Sequence, residues 1–301
     1  MNKKHSLTIG IPVYNEEANI KKLITSVLSQ KLTTFSLEEI IISSDGSTDK
    51  TVEAVKSIRN PRISLIVNQN RKGIARGINQ IMSRASSKAL VVLDADIHIS
   101  DPETIERLAR PIVTERVDLA SPGIGELDPQ SFFGRTLWVS MRLKEQLFAQ
   151  LNHGENMYTC HGQARAFSRR FYSRLLIPVS IGNDMYCYLS CKKRGLTYRY
   201  VPESTVLYRL PETYADHKKQ SLRFFVSADE QRKFFSPEFV KGYEHIPFSA
   251  YIAAFVKSVP VLVKYPLHSL FYFFVQLSLR TQSPSTRRSQ TWDVAVSSKL
   301  L

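Results

Sequence analysis

Cysteine is nearly absent: Cys160, Cys187 and Cys191 are the only three in 301 residues. Their number is odd and their spacing is not that of paired thiols, which excludes a disulfide framework and leaves them as small buried apolar groups in a reducing compartment. The opening residues, Met1-Asn2-Lys3-Lys4-His5, lack the apolar stretch of a secretory leader, so a cytosolic chain is expected. Acidic residues are in deficit, 27 against 41 Lys and Arg, for a formal charge of +14 and a pI near 9.7. Such a balance calls for an anionic partner, whether a nucleotide diphosphate, a nucleic acid or an acidic membrane surface. No internal repeat or low-complexity block occurs, and a 43% hydrophobic composition supplies a core for one large or two small domains.

What the chain does contain is alternation. Apolar, β-branched runs at residues 7–13, 39–42, 63–67 and 89–93 have the length of buried parallel strands. Stretches with helical spacing separate them, as at 17–28, where Ile20, Leu23, Ile24, Val27 and Leu28 share a face. This rhythm predicts an α/β fold, a right-handed open sheet whose ligands gather beyond the carboxyl ends of the strands. Every loop that carries chemistry follows such an end: 14–17, 44–49, 68–73 and 94–96. Asp94 and Asp96 close an apolar run, and because an unpaired carboxylate is costly to desolvate, the pair points to a cation or polar ligand. An enzyme that handles a metal-bound diphosphate is the expectation.

After residues 117–120 the rhythm changes. Pro122, Gly123, Gly125, Pro129 and Gly134 predict a loop-rich passage into a basic amphipathic helix over 137–151. Further helices are predicted over 184–193, stopped by Gly195, and over 213–235. From 246 to 279 the chain is again apolar and aromatic. As one helix, the 22 residues of 258–279 would rise about 1.5 Å each and nearly match a hydrocarbon core of about 30 Å. Pro260 and Pro266 interrupt that helix, and Lys257, Lys264 and His268 share one of its faces, which favours an interfacial or re-entrant segment over a spanning one. Arg280, Arg287 and Arg288 follow and offer partners for anionic headgroups.

Taken together, Pro12-Val13-Tyr14-Asn15-Glu16, Asp45-Gly46-Ser47-Thr48-Asp49, Asn70-Arg71-Lys72-Gly73, Asp94-Ala95-Asp96, Gly162 with Arg169-Arg170, and Asn183-Asp184 form an ordered set across residues 7–230. That set resembles the family 2 glycosyltransferases, inverting enzymes of the GT-A fold that use nucleotide sugars. The resemblance implies a GT-A fold: a Rossmann-like, open, mostly parallel sheet with an α+β extension on the acceptor side and apolar C-terminal helices. It implies that Pro12, Val13, Tyr14, Asn15 and Glu16 flank base and ribose, and that Asp45, with Ser47 nearby, accepts a hydrogen bond from a uracil imide. A carboxylate offers only acceptors, which rewards an N–H edge, so a UDP-sugar is favoured. Ser47 or Thr48 can also cap the next helix. Lys72 and Gly73, at a predicted helix start, are expected to offer phosphate their free N–H groups.

By the same resemblance Asp94 and Ala95 lie against the nucleotide, and Asp96 coordinates Mg2+ or Mn2+, with His217 as an additional candidate ligand. Phosphate oxygens and waters would complete such a shell. Asp184 matches the general base, a group that takes the acceptor hydroxyl's proton as oxygen attacks the anomeric carbon. The family commonly has Glu before this Asp, and Asn183 departs from that. Gly162 belongs to the acceptor side, as do Gln220, Arg223 and Phe224, which resemble the Gln-x-x-Arg-Trp signature of processive polysaccharide synthases, with Phe224 in place of tryptophan. That replacement, and the lack of several spanning helices, favours addition of one sugar to a glycan or lipid-linked acceptor, without nucleic acid, at the cytoplasmic membrane face as a peripheral or monotopic enzyme. The implied division is 1–120 for the nucleotide sugar, 121–235 for acceptor and base, 236–285 for membrane-associated helices and 286–301 as a tail.

Two other classes compete. Sugar-1-phosphate nucleotidyltransferases need a glycine-rich N-terminal loop, and residues 12–17 contain no glycine. A basic protein that binds nucleic acid or membrane without catalysis would need neither metal nor Asp184, and acids at 94, 96 and 184 would repel a polyanion.

Overall fold

The computed structural model describes residues 3–179, 182–280 and 298–299, with the backbone alone for 222–228 and 280. Four strands, β1 (His5–Val13), β2 (Phe35–Asp45), β3 (Ile63–Asn68) and β4 (Ala89–Leu93), lie parallel in the order β3-β2-β1-β4. The sheet continues through β5 (Ile97–His98), β6 (Leu119–Glu126), β7 (Ala164–Ser168) and β8 (Tyr198–Tyr208), for a complete order of β3-β2-β1-β4-β7-β6-β8-β5. This second half is mixed: β7 is antiparallel to both β4 and β6, β6 and β8 are parallel, and β5 is antiparallel to β8. Eleven helices are described. They are α1 (Ile20–Leu28), α2 (Thr51–Lys56), α3 (Ile74–Arg84), α4 (Thr104–Thr114), α5 (Phe132–Gln150), α6 (Arg169–Tyr172), α7 (Asn183–Lys193), α8 (Tyr214–Gln231), α9 (Pro237–Glu244), α10 (Phe248–Lys264) and α11 (Pro266–Arg280).

Apolar residues on both faces of the parallel strands separate two cores. Leu7, Ile9 and Ile11 pack with Ile24 and Val27 of α1 on one side, and Ile41, Leu90 and Val92 pack with Ile78 and Ile81 of α3 on the other. The second layer closes tightly on β1, because a Cβ on Gly10 would lie 2.3 Å from Ile81 Cγ2. The four expected strands, and the helices expected over 184–193 and 213–235, are present with ends shifted by a few residues.

Three expectations are corrected. Pro122, Gly123 and Gly125 belong to β6 and not to a loop. The pairing with β8 shifts register between Pro122 and Gly123, where proline has no N–H to give, and a Cβ at Gly123 would lie 2.9 Å from Pro202 O. The expected helix over 137–151 begins at Phe132, capped by the Ser131 hydroxyl, which accepts from Gly134 N at 2.9 Å. Finally, of the two prolines expected to interrupt 258–279, Pro266 does so and Pro260 does not. Tyr265 separates α10 from α11, with Pro260 accommodated inside α10 and Pro266 opening α11. Both helices lie along α5: Trp138 meets Tyr265 edge-on at 5.7 Å, and Phe132 stacks on His268 at 4.3 Å. Arg287 and Arg288 lie outside the described residues, as does the side chain of Arg280.

Where β6 ends, Glu126 turns into the sheet with its side chain 1% exposed and pairs with Arg142 of α5. Burial pushes its carboxyl from an ordinary 4.5 up to about 7, opposed by Arg142 and reinforced by Glu145. Between those values the folded chain holds a proton that the unfolded chain has released, so this group's contribution to stability falls as pH rises from 4.5 to 7. Glu126→Gln is expected to remove that dependence. Unfolding free energies of wild type and variant, from urea titrations, should diverge on going from pH 5 to pH 8 by about 1–3 kcal/mol, to the variant's advantage.

Candidate active site

Parallel neighbours end together, so the loops after β1, β2, β3 and β4 meet at one edge. The first two are laced to each other. Asn15, at φ +52°, accepts from Thr48 N at 2.8 Å through Oδ1, and its own N–H donates to Ser47 Oγ at 3.2 Å. Glu16 N donates to Thr51 Oγ1 at 2.7 Å and Glu17 N to Asp49 Oδ2 at 3.1 Å. Asp49, rather than Ser47 or Thr48, supplies the acceptor for the start of α2, at 3.0 Å from Thr51 N. Tyr14 extends from this edge with the Arg71 guanidinium 3.9 Å above its ring.

Asp45, 5% exposed, fastens the second loop to the third. Its carboxylate accepts from Lys72 N at 2.9 Å and from Gly73 N at 2.6 Å, immediately before α3. The two N–H groups expected to be free at this helix start are therefore engaged. Gly46 permits the approach: its φ is +72°, and a Cβ there would lie 2.7 Å from Arg71 N.

Asp94 and Asp96 follow β4. Asp94 N donates to Gln163 O at 2.8 Å, which ties the exit of β4 to the segment entering β7. Asp94 Oδ1 is buried and has no hydrogen-bond partner among the described residues. Burial pushes the Asp94 carboxyl up to about 8, with Asp96, Asp184 and Glu16 adding like charge and Arg165 opposing. Asp96 is raised chiefly by burial, with the Lys299 ammonium opposing. Glu16 is raised for the same first reason and also feels Lys299.

Opposite Asp94 stands Asp184, in the first turn of α7, with Oδ1 accepting from Met185 N at 2.8 Å. Gly162 lies between them: a Cβ placed on it would be 3.9 Å from Asp184 Oδ2 and 4.0 Å from Asp94 Oδ2. The two carboxylates thus face one shared space.

Two residues that sequence reasoning passed over belong here. Arg165 of β7 is fully buried, and its guanidinium donates to Asn183 Oδ1 and to Cys187 Sγ. A lone arginine between Ala164 and Ala166 in a core-strand pattern was the signal for it. Lys299 had none. Its ammonium donates to Tyr14 O at 2.9 Å, to Asn15 O at 3.3 Å and to Glu16 Oε1, and Ser298 beside it receives Gln220 Nε2 at 3.4 Å.

His217 packs 5.8 Å from the Phe133 ring and lies 3.3 Å from Ser221 Oγ, and burial, then Lys144, pushes its pKa down to about 4. Among the described residues no three His, Cys, Asp or Glu side chains gather as a self-sufficient metal cage. Arg223 and Phe224 lie on α8, with side chains outside the described residues.

The glycosyl transferase family 2 model matches residues 8–176. The poly-beta-1,6-N-acetyl-D-glucosamine synthase of Staphylococcus aureus (strain COL) is 25% identical over 277 residues, covering 88% of this chain and 64% of that protein. The chain therefore spans less than two thirds of the length of this relative. Glycosyltransferase GlyA of Streptococcus pneumoniae serotype 4 is 31% identical over 116 residues, 38% of this chain and 16% of that one. Among solved structures, the mannosyltransferase PcManGT from Pyrobaculum calidifontis, in complex with GDP-Man and Mn2+, superposes with a TM-score of 0.59 at 19% identity, covering 93% of this chain and 83% of that chain. At that identity the likeness is one of fold.

Asp45 holds the loops after β2 and β3 together, and its loss is expected to show as lost stability. Asp45→Ala leaves Lys72 N and Gly73 N without their acceptor and should lower stability by about 1–3 kcal/mol, read as a shift in the urea midpoint at constant slope.

Proposed function

The chain belongs to glycosyl transferase family 2, and from that premise we propose that it moves one sugar from a UDP-sugar to a hydroxyl of a glycan or lipid-linked acceptor, with inversion at the anomeric carbon. The observation that carries the proposal is the placement of Asp94 and Asp184 on either side of Gly162, each within about 4 Å of one point. A sugar held there has the nucleotide edge on one side and a proton acceptor on the other.

The nucleotide lies along Pro12, Val13, Tyr14, Asn15 and Glu16, with Ala95 behind it and Ser47, Lys72 and Gly73 at its margin. Asp45 already accepts two backbone N–H groups, and a carboxylate has about four lone-pair sites, so it retains capacity for an imide N–H. Asp96, with Asp94 beside it, is the donor set for Mg2+ or Mn2+. The orphaned, buried Asp94 Oδ1 fits this assignment, and so does a hard cation's habit of taking one or two carboxylates and completing its shell from phosphates and water. Once bound, such an ion supplies Lewis-acid stabilisation to the departing diphosphate.

Asp184 takes the acceptor proton. Its place at the start of α7 suits an anion, since the helix dipole and the Met185 N–H both stabilise a carboxylate. Gly162 leaves room for the ring, and Gln220 of α8 bonds Ser298, the neighbour of the Lys299 that holds the loop at 14–16.

The acceptor side abuts a large apolar surface. Phe248, Val263 and Leu267 are 78%, 72% and 70% exposed, and Ile252, Phe255, Val256, Phe273 and Phe274 are exposed with them. Contiguous apolar patches of this size mark interaction sites. The stretch Pro237–Lys264 is long and apolar enough to cross a bilayer, yet it is interrupted at 245–247 between α9 and α10. Lys257 and Lys264 on α10 fit a helix pair resting on an anionic membrane face. Similarity to a polysaccharide synthase favours one second possibility, repeated addition, which product length decides.

Incubation with a panel of UDP-sugars, Mn2+ and membrane extract, followed by mass spectrometry, should yield a single-sugar adduct, and a ladder would favour the second possibility. Asp96→Ala is expected to abolish metal-dependent UDP release. Asp184→Asn should retain UDP binding and lose transfer by about 10²–10⁴-fold, and normal turnover by it removes Asp184 from the base role. Phe255→Glu with Val263→Glu should reduce flotation with anionic liposomes while the melting temperature is retained; undiminished flotation defeats the membrane assignment.

A further inference from the structure

Arg165 is a cation with 0% exposure, and its hydrogen bonds go to groups without charge. One terminal nitrogen donates to Asn183 Oδ1, and the other to Cys187 Sγ at 3.4 Å, a thiol that burial pushes up to about 11 and so keeps protonated. Nε has no hydrogen-bond partner among the described residues. A guanidinium taken fully out of water needs an anion, because desolvation costs several kcal/mol per ion and neutral acceptors return only part of that. Besides the Cys187 and Cys160 thiols, the acidic groups whose fields reach it are the Asp184 and Asp94 carboxyls.

The chain fastens Arg165 to both of them. Across the sheet it pairs with Val92, two positions before Asp94 on the same chain, and its Asn183 partner immediately precedes Asp184. Asp94 and Asp184 are like charges sharing one space at Gly162, and in a medium of low polarity their repulsion would drive one of them apart or neutral. A fixed cation held between their two segments opposes that tendency. A carboxylate at position 183 would take the cation for itself, whereas the Asn183 amide holds its geometry and leaves its charge unspent.

We infer that Arg165 is the positioning residue that keeps the Asp94 and Asp184 carboxylates together on the two sides of Gly162, and that a neutral residue at 183 is a condition of that role. This inference rests on the assignment of Asp184 as base. It predicts a larger effect on the transfer step than on donor binding, since Arg165 bonds the Asn183 that precedes the base and reaches the donor side only through Asp94.

The test uses the full chain and three substitutions, Arg165→Met, Arg165→Lys and Asn183→Asp. Each is assayed for transfer from UDP-glucose and UDP-N-acetylglucosamine into membrane extract, and for binding of UDP with Mn2+ by calorimetry. Arg165→Met should lower the rate at saturating donor by about 10- to 100-fold, the range for residues that orient a catalytic group, with donor KM and UDP affinity changed by less than about threefold. Arg165→Lys should recover part of the loss. Asn183→Asp should fold normally, since it gives a buried cation a partner, and still lower the rate about tenfold. Wild-type rates in Arg165→Met or Asn183→Asp, or a lysine variant no better than the methionine one, overturn the inference, and if Arg165→Met does not fold, Asn183→Asp decides alone. Asp184→Asn separates the two levels: normal turnover there sinks the base assignment, whereas its loss beside full activity in Asn183→Asp sinks only the role given to Arg165.

Discussion

Confinement of like charge governs this molecule. Glu16, Asp94, Asp96 and Asp184 come from three different segments, yet Asp94 feels the other three and Glu16 feels Asp96. Unopposed, such a group would spread or take up protons, because Coulomb repulsion grows several-fold as the effective dielectric falls from that of water to that of a protein interior. Two cations oppose it from opposite sides: Arg165 from inside the sheet and Lys299 from the C-terminal residues that reach Tyr14, Asn15 and Glu16. The hydrogen bonds that lace 14–17 to 47–51 then prevent the loops from relaxing outward.

The sheet explains why these groups can meet at all. Four parallel strands bring their exits to one edge, but a purely parallel sheet would place the next exit further along that edge. Insertion of β7 between β4 and β6, antiparallel to both, reverses the chain direction beside β4. Its entry, not its exit, therefore lies next to Asp94, and Gly162 and Gln163 lead into that entry, with Gln163 O accepting from Asp94 N. Gln231 at the end of α8 donates to Gly182 O at 3.0 Å and so steadies the start of α7, where Asp184 sits. A bare Gly162 keeps the intervening space open.

How much of this could be read from the chain follows from how local each signal is. Strands β1 to β4 were legible because they are buried on both faces and read as continuous apolar runs, and the loops at their ends were legible because turn and capping residues cluster there. Asp94, Asp96 and Asp184 stood out as acids at element ends. Strands β6, β7 and β8 were obscured by Pro122, Arg165 and Pro202, residues whose place in a sheet depends on a register shift or on a partner distant in sequence. Asp45 stood out as an acid at a strand end, but its bonds to Lys72 and Gly73 were not legible, since they depend on how β2 and β3 exits approach. Lys299 sits 283 residues from Glu16, and no periodicity reports such a contact.

The apolar C-terminal pair is tied to the site through α5 and α8 rather than hung from it. Glu212 accepts from Gln130 N and Ser131 N at 3.0 Å each, which joins the start of α5 to the approach of α8. Phe133 of α5 then meets Tyr214 and His217 on α8 and Phe271 on α11, and the Tyr214 hydroxyl lies 2.8 Å from Ser278 Oγ. The same α8 carries Gln220, whose amide donates to Ser298 beside Lys299. Because packed interiors resist continuous deformation, these contacts couple the position of α11 to that of α5 and α8. If α10 and α11 rest on a bilayer as proposed above, this linkage would set the height and tilt of the cleft above the lipid. A hydroxyl displayed at the membrane surface would then reach Asp184 without the acceptor leaving the bilayer, and the fixed geometry would exclude hydroxyls displayed at other heights.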